Sequence, residues 1–213
     1  MTRLFNREIF LWQAFLIFVM LVTLLFLVGF YFVGKNTEDI EPISKLDREM
    51  LRIENQIKVS PKNPDYYVQL GWVYYQKGSI LDAKKAYTKA LSLRENHPDA
   101  LYNLGLIFME EDDFSSAETY LGKIFERNPT HHLAALALGK VYLDSEKYEE
   151  AEELLIKFQD EFTTNADYFY YLGLICEKLG KRDEAIKYIT KALNFDPKFI
   201  AAEVALYRIT NLE

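Results

Sequence analysis

The side chains able to do chemistry are few, and their spacing does not assemble a reactive site. There is one cysteine, Cys176, so no intramolecular disulfide can form. Of the three histidines, two are adjacent, His131 and His132. Paired histidines can hold a metal, but neighbouring side chains on a helix diverge by about 100° and do not share a face. Only His97 stands in reserve, and a metal site needs more ligands than that. Carboxylates cluster at Glu110-Glu111 with Asp112-Asp113 and at Glu149-Glu150 with Glu152-Glu153. Both groups straddle helix starts or turns and read as solvated faces. A glycine-rich phosphate loop, a Ser/His/Asp set and zinc-type Cys/His spacing are all missing from the sequence. The expectation is therefore a protein that is not an enzyme, with no cofactor, no metal and no small-molecule substrate.

Composition narrows the class further. Half of the 213 residues are apolar and 15% are aromatic, which a disordered chain would not show. The net charge is −7, and Arg3, Arg7 and Glu8 are the only charges before Lys35, so the remainder is more acidic still. Nucleic-acid binding needs a basic surface, and no nucleic-acid partner is expected.

What the sequence does contain is a period. Gly71, Gly105, Gly139 and Gly173 follow one another at 34-residue steps. Each is preceded by a leucine, at Leu70, Leu104, Leu138 and Leu172. Twelve residues after the glycines stand Ala83, Ala117, Ala151 and Ala185, and sixteen after them Tyr87, Leu121, Leu155 and Ile189. Three after them come Tyr74, Phe108, Tyr142 and Cys176, which makes Cys176 a core position. Within the first period, Tyr67, Leu70, Gly71 and Tyr74 lie on one helical face, and Ala83, Tyr87, Ala90 and Leu91 on another. Two helices are expected, over about Asp65–Lys77 and Leu81–Glu95, pressed together where glycine and alanine remove bulk. Gly78 and Gly180 fall in the intervening turns, where a positive φ is useful.

These columns resemble the tetratricopeptide (TPR) family, whose unit is a 34-residue helix–turn–helix. The resemblance covers residues 64–199 as four repeats: Pro64–His97, Pro98–His131, His132–Asn165 and Ala166–Phe199. Glu95 and Thr163 stand where the family prefers a proline, and Tyr67, Leu101, Ala135 and Phe169 where it prefers tryptophan. It implies an all-α solenoid with residues 200–213 as a capping helix and residues 35–63 as linker and degenerate half-repeat. It also implies a concave groove lined by the first helix of each repeat. Carried over position by position, the groove would present Trp72, Tyr75, Tyr102, Leu106, Met109, Leu136, Lys140, Tyr170 and Leu174. Its aromatic and aliphatic centre suits a peptide segment or amphipathic helix of another protein. The chaperone-tail subclass, which grips a terminal carboxylate with Lys and Asn, is disfavoured: Val68 and Trp72 occupy those places and only Asn103 matches.

Ahead of the repeats, Ile9–Gly34 carries no charge. Its length, about 39 Å as a helix, predicts a transmembrane span contacting the lipid bilayer through residues 9–34. A signal peptide would be shorter and end in small residues, unlike Phe30-Tyr31-Phe32-Val33. Arg3 and Arg7 would keep residues 1–8 in the cytoplasm. The expected placement is a single-pass protein of a bacterial inner membrane with its repeats outside the cytoplasm. The expected role is a membrane-anchored scaffold that docks or assembles partner proteins. The arrangement is also similar to TPR subunits of cytochrome c maturation, which present apocytochrome, and to translocon or secretion helpers.

Overall fold

The computed structural model describes residues 19–29, 31 and 44–211, all-helical apart from short turns. The chain divides into two compact units, Met1–Asp47 and Arg48–Glu213.

In the first unit, residues 19–29 form helix α1, with its apolar side chains exposed. No helix among the described residues is long and apolar enough to cross a membrane. That finding overturns the expected inner-membrane placement with extracytoplasmic repeats and leaves the bilayer contact through residues 9–34 unsupported. The rest of the expected span, residues 9–18, 30 and 32–34, lies outside the described residues.

The second unit is built from helical hairpins. After α2 (Lys45–Val59) come four pairs: α3 (Pro64–Gln76) with α4 (Ile80–Leu93), α5 (Pro98–Glu110) with α6 (Phe114–Phe125), α7 (His132–Asp144) with α8 (Tyr148–Lys157), and α9 (Ala166–Lys178) with α10 (Arg182–Phe195). A single helix, α11 (Ile200–Asn211), follows. The first helix of each pair starts at a column of polar residues. Asn63 Oδ1 accepts from Asp65 N at 3.0 Å, His131 Nδ1 from Ala134 N at 3.1 Å and Asn165 Oδ1 from Tyr168 N at 2.8 Å. Each satisfies an amide that has no partner within the helix. Pro64 and Pro98 add a preset φ at the first helical position.

The turn inside every hairpin demands a left-handed residue at the same column. Gly78 (φ 75°) and Gly180 (φ 73°) meet that demand without strain, but Asp112 (φ 58°) and Glu146 (φ 61°) sit in the same conformation with a Cβ. Left-handed backbone costs an L-residue about 1–2 kcal/mol, less for Asp, whose short side chain tolerates it. Glu146→Gly is therefore expected to raise stability by about 0.5–1 kcal/mol, more than Asp112→Gly, because glycine's extra chain entropy offsets part of the relief. Denaturant midpoints of the two variants check this. A lower midpoint for Glu146→Gly would mean the turn is not strained.

Helices pack pairwise through the glycine column. A Cβ on Gly71 would stand 2.6 Å from Tyr87 Cε1, on Gly105 2.6 Å from Leu121 Cγ, and on Gly139 2.5 Å from Leu155 Cδ2. On Gly173 it would lie closer still to Ile189 Cγ1. The residues sixteen positions apart in sequence are thus the ones that touch. Three clusters of buried side chains continue the core from hairpin to hairpin, centred on Tyr87 and Leu104, on Leu121 and Leu138, and on Leu155, Phe169 and Leu172.

The junctions between hairpins carry a second repeated device. Lys147 Nζ meets Glu118 Oε2 at 2.6 Å, and Lys181 Nζ meets Glu152 Oε2 at 2.5 Å, each joining a second helix to the next hairpin's turn. At the first junction the polarity is reversed, with Lys84 Nζ 2.7 Å from Glu111 Oε2. The acidic groups read as merely solvated are thus partly engaged. Glu110 accepts from the Tyr75 hydroxyl, Asp113 Oδ1 caps α6 through Ser116 N, and Glu111 and Glu152 make these ion pairs.

One hairpin departs from the pattern. Helix α8 ends at Lys157, and the following turns bury Phe158 and Phe162. Phe162 stacks on Tyr168 at 4.8 Å, and the Tyr168 hydroxyl donates to the Leu155 carbonyl at 2.8 Å.

The first-helix face as a candidate protein-binding surface

Each first helix turns one side toward its partner in the hairpin and another toward the corresponding helix of the next hairpin. Side-chain contacts run between successive first helices along this second side. Tyr75 of α3 donates to Glu110 of α5, the Lys140 ammonium of α7 lies 5.6 Å from the Tyr171 ring centroid of α9, and Arg208 of α11 pairs with Glu177 of α9 at 2.5 Å. Tyr102 faces the His131 ring at 6.0 Å, and Tyr170 faces Phe199 at 4.8 Å. These contacts bring the columns of the five helices side by side.

All nine residues expected at a groove lie on these helices, and none is fully buried. Trp72 is 47% exposed, stacks on Tyr75 at 5.8 Å and joins none of the three core clusters. Tyr75, Tyr102, Leu106, Met109, Leu136, Tyr170 and Leu174 are half-buried and rest against the core by one edge. Lys140 is half-buried among them. Tyr102 and Tyr170 hold their protons above the usual tyrosine range because burial disfavours the phenolate. Tyr75 does so first through its hydrogen bond to Glu110. Asn103, the single match to a carboxylate-gripping position, donates instead to the Asp99 carbonyl at 2.7 Å, within its own helix.

Two features escape a reading of residue types. Val204 of α11 stands one period after Tyr170 and is 59% exposed, so the apolar column of Val68, Tyr102, Leu136 and Tyr170 runs on into the last helix. The 34-residue spacing was the available signal. His97 is 3% exposed, and its Nε2 lies 2.8 Å from Asp65 Oδ1, tying the end of one hairpin to its start. Its place in the capping column with Asn63, His131 and Asn165 marked it as a helix start, not as a buried partner for a carboxylate.

The remaining reactive groups are engaged within the fold. His131 is engaged as a cap, and His132 packs edge-on against Phe162 at 5.6 Å. No group of three or more metal-binding side chains occurs among the described residues. Cys176 is buried, and burial pushes its thiol up to about 11. The neutral thiol, not the thiolate, is the stable form in the folded state. A maleimide reagent at pH 8 is therefore expected to leave Cys176 unmodified in the native chain and to label it after denaturation. The same shift contributes stability below the unfolded thiol's pKa and loses it as pH rises toward 11. Rapid native labelling would show that the core around α9 opens.

Comparison with known proteins agrees with this geometry. Residues 110–192 match the profile of anaphase-promoting complex, cyclosome, subunit 3, and residues 71–111 match that of the TPR repeat. No curated protein sequence matches the chain. Among solved structures, it is similar to YrrB, described as a TPR protein with an unusual peptide-binding site, with 23% identity over 76% of this chain and 83% of that one and a TM-score of 0.65. It is similar to MamA at 27% identity, over 72% and 84% of the two chains, with a TM-score of 0.62. It is also similar to a tetratricopeptide repeat protein from Parabacteroides merdae at 18% identity, over 84% and 68%, with a TM-score of 0.68.

Proposed function

Because the chain is a tetratricopeptide-repeat protein, we propose that it is a protein–protein interaction scaffold whose first-helix face docks a peptide segment or amphipathic helix of a partner. One observation carries this reading: an apolar column of five half-buried or exposed side chains crosses the four first helices and α11, flanked by Trp72, Leu106 and Leu174. In a core such residues would be covered. Here they are only partly covered, which suits transient burial by a partner. The peptide-binding description of YrrB, a protein of the same fold, points the same way.

The test is site-specific photo-crosslinking in the cell of origin. A benzophenone amino acid replacing Leu106 should trap partner protein. The same group replacing Leu81, which is 74% exposed on α4 away from this face, should trap none. Adducts from position 81 and none from position 106 would move the binding surface to the second helices and end this reading.

A further inference from the structure

Among the charged groups on the first-helix face, Lys140 stands apart by its place between apolar neighbours. Asp65 is met by His97 at 2.8 Å and by Arg94 at 3.7 Å, Glu177 by Arg208 at 2.5 Å, and Glu110 by the Tyr75 hydroxyl. Asp99 and Asp167 sit in the first turns of α5 and α9, where the helix dipole favours an anion. No carboxylate among the described residues lies within ion-pair distance of Lys140, whose ammonium sits over the Tyr171 ring. Asp144, one turn further along α7, feels the lysine's charge only as a partial counterweight to the burial that raises its pKa. The lysine also stands in the middle helix of five, in a column whose adjacent members are Leu106 and Leu174.

Resting on the groove reading above, we infer that the bound segment carries an internal acidic side chain, flanked by apolar anchors, that pairs with Lys140. A wholly apolar ligand would strip water from the ammonium and return nothing for it. A carboxylate would replace that water with a charge-assisted hydrogen bond inside an apolar surround, where such a bond is stronger than in water. The acid comes from within the segment and not from its end. The apolar surface continues on both sides of Lys140, through Leu106 and Met109 in one direction and Leu174 and Val204 in the other. A chain using both sides passes over the lysine.

The probe is a displayed library of random 12-residue peptides, flanked at both ends by Gly-Ser spacers, panned on the full-length protein and on Lys140→Met and Lys140→Glu. Wild-type binders should be enriched in Asp or Glu between apolar residues. Lys140→Met should lose that enrichment, and Lys140→Glu should exchange it for Lys or Arg. For a selected peptide, changing its acid to the amide should weaken binding to the wild type at least tenfold and to Lys140→Met hardly at all. Trp72→Ala separates the two levels of the argument. Binders that need Trp72 but show no acid and bind Lys140→Met equally would overturn the Lys140 inference and leave the groove standing. Binders indifferent to both residues, or a panning that returns none, would overturn the groove reading itself. Binding that requires a free C-terminal carboxylate would overturn the internal source of the acid.

Discussion

Gly105→Leu is expected to lower the melting temperature by about 6–12 °C, on the estimate of about 3 kcal/mol for severe overpacking and 2–4 °C per kcal/mol in a chain of this size. The cause is local. Even the first carbon of a side chain at this position would stand 2.6 Å from Leu121 Cγ and 2.7 Å from its Cδ2. Leu121 cannot swing aside, because it is fully buried between α5, α6 and α7 in the second core cluster. The helices must separate, and in a repeat stack each hairpin is stabilised by its neighbours, so the loss is felt beyond the mutated pair. Glu153→Ala, exposed and without a recorded partner, is the control and should change stability by less than about 0.5 kcal/mol. Glu111 would be a poor control because it pairs with Lys84 at 2.7 Å. Adding Leu121→Ala to Gly105→Leu should cost less than the sum of the two single changes, since the smaller residue at 121 relieves the clash and the leucine at 105 fills the cavity. Equal melting shifts for Gly105→Leu and Glu153→Ala, or strictly additive effects in the double variant, would show that these helices do not meet at Gly105.

Trp72→Ala is expected to weaken partner binding by about 2 kcal/mol or more, the range of an interface hot spot, with little change in melting temperature. Tryptophan offers a large contact area with few rotors, so ordering it on binding costs little entropy. Its indole is 47% exposed and belongs to none of the core clusters, so truncation removes surface that a partner would cover and little that the fold uses. Tyr170→Ala should behave differently. Its ring is packed against Phe199 at 4.8 Å and Tyr171 at 5.4 Å, so both affinity and stability should fall. The measurements are affinity for the crosslinked partner and melting temperature for each variant. Unchanged affinity in Trp72→Ala, together with a loss in Leu81→Ala, would place the partner on the second helices.

The sequence by itself determined the period, the helix pairing and the contact columns. These are legible because they depend on residue size and helical spacing alone: glycine at 71, 105, 139 and 173 can only mean close approach when a large residue recurs sixteen positions later. The turn glycines Gly78 and Gly180 were readable for the same reason, since only glycine is at ease with a positive φ. Tertiary structure decided what residue type does not encode. Asp112 and Glu146 are forced into the left-handed region by the hairpin around them, against their own preference. His97 precedes a helix by position but turns inward to Asp65, whereas His131, one period later, caps its own helix through Ala134 N. Carboxylates that look merely solvated become ion-pair partners or caps once a lysine or a free amide from another segment arrives beside them. The candidate groove lies between these cases. Its columns, Val204 included, follow from the period, whereas the openness of Trp72 and the lack of an ion pair at Lys140 depend on which side chains neighbouring helices cover.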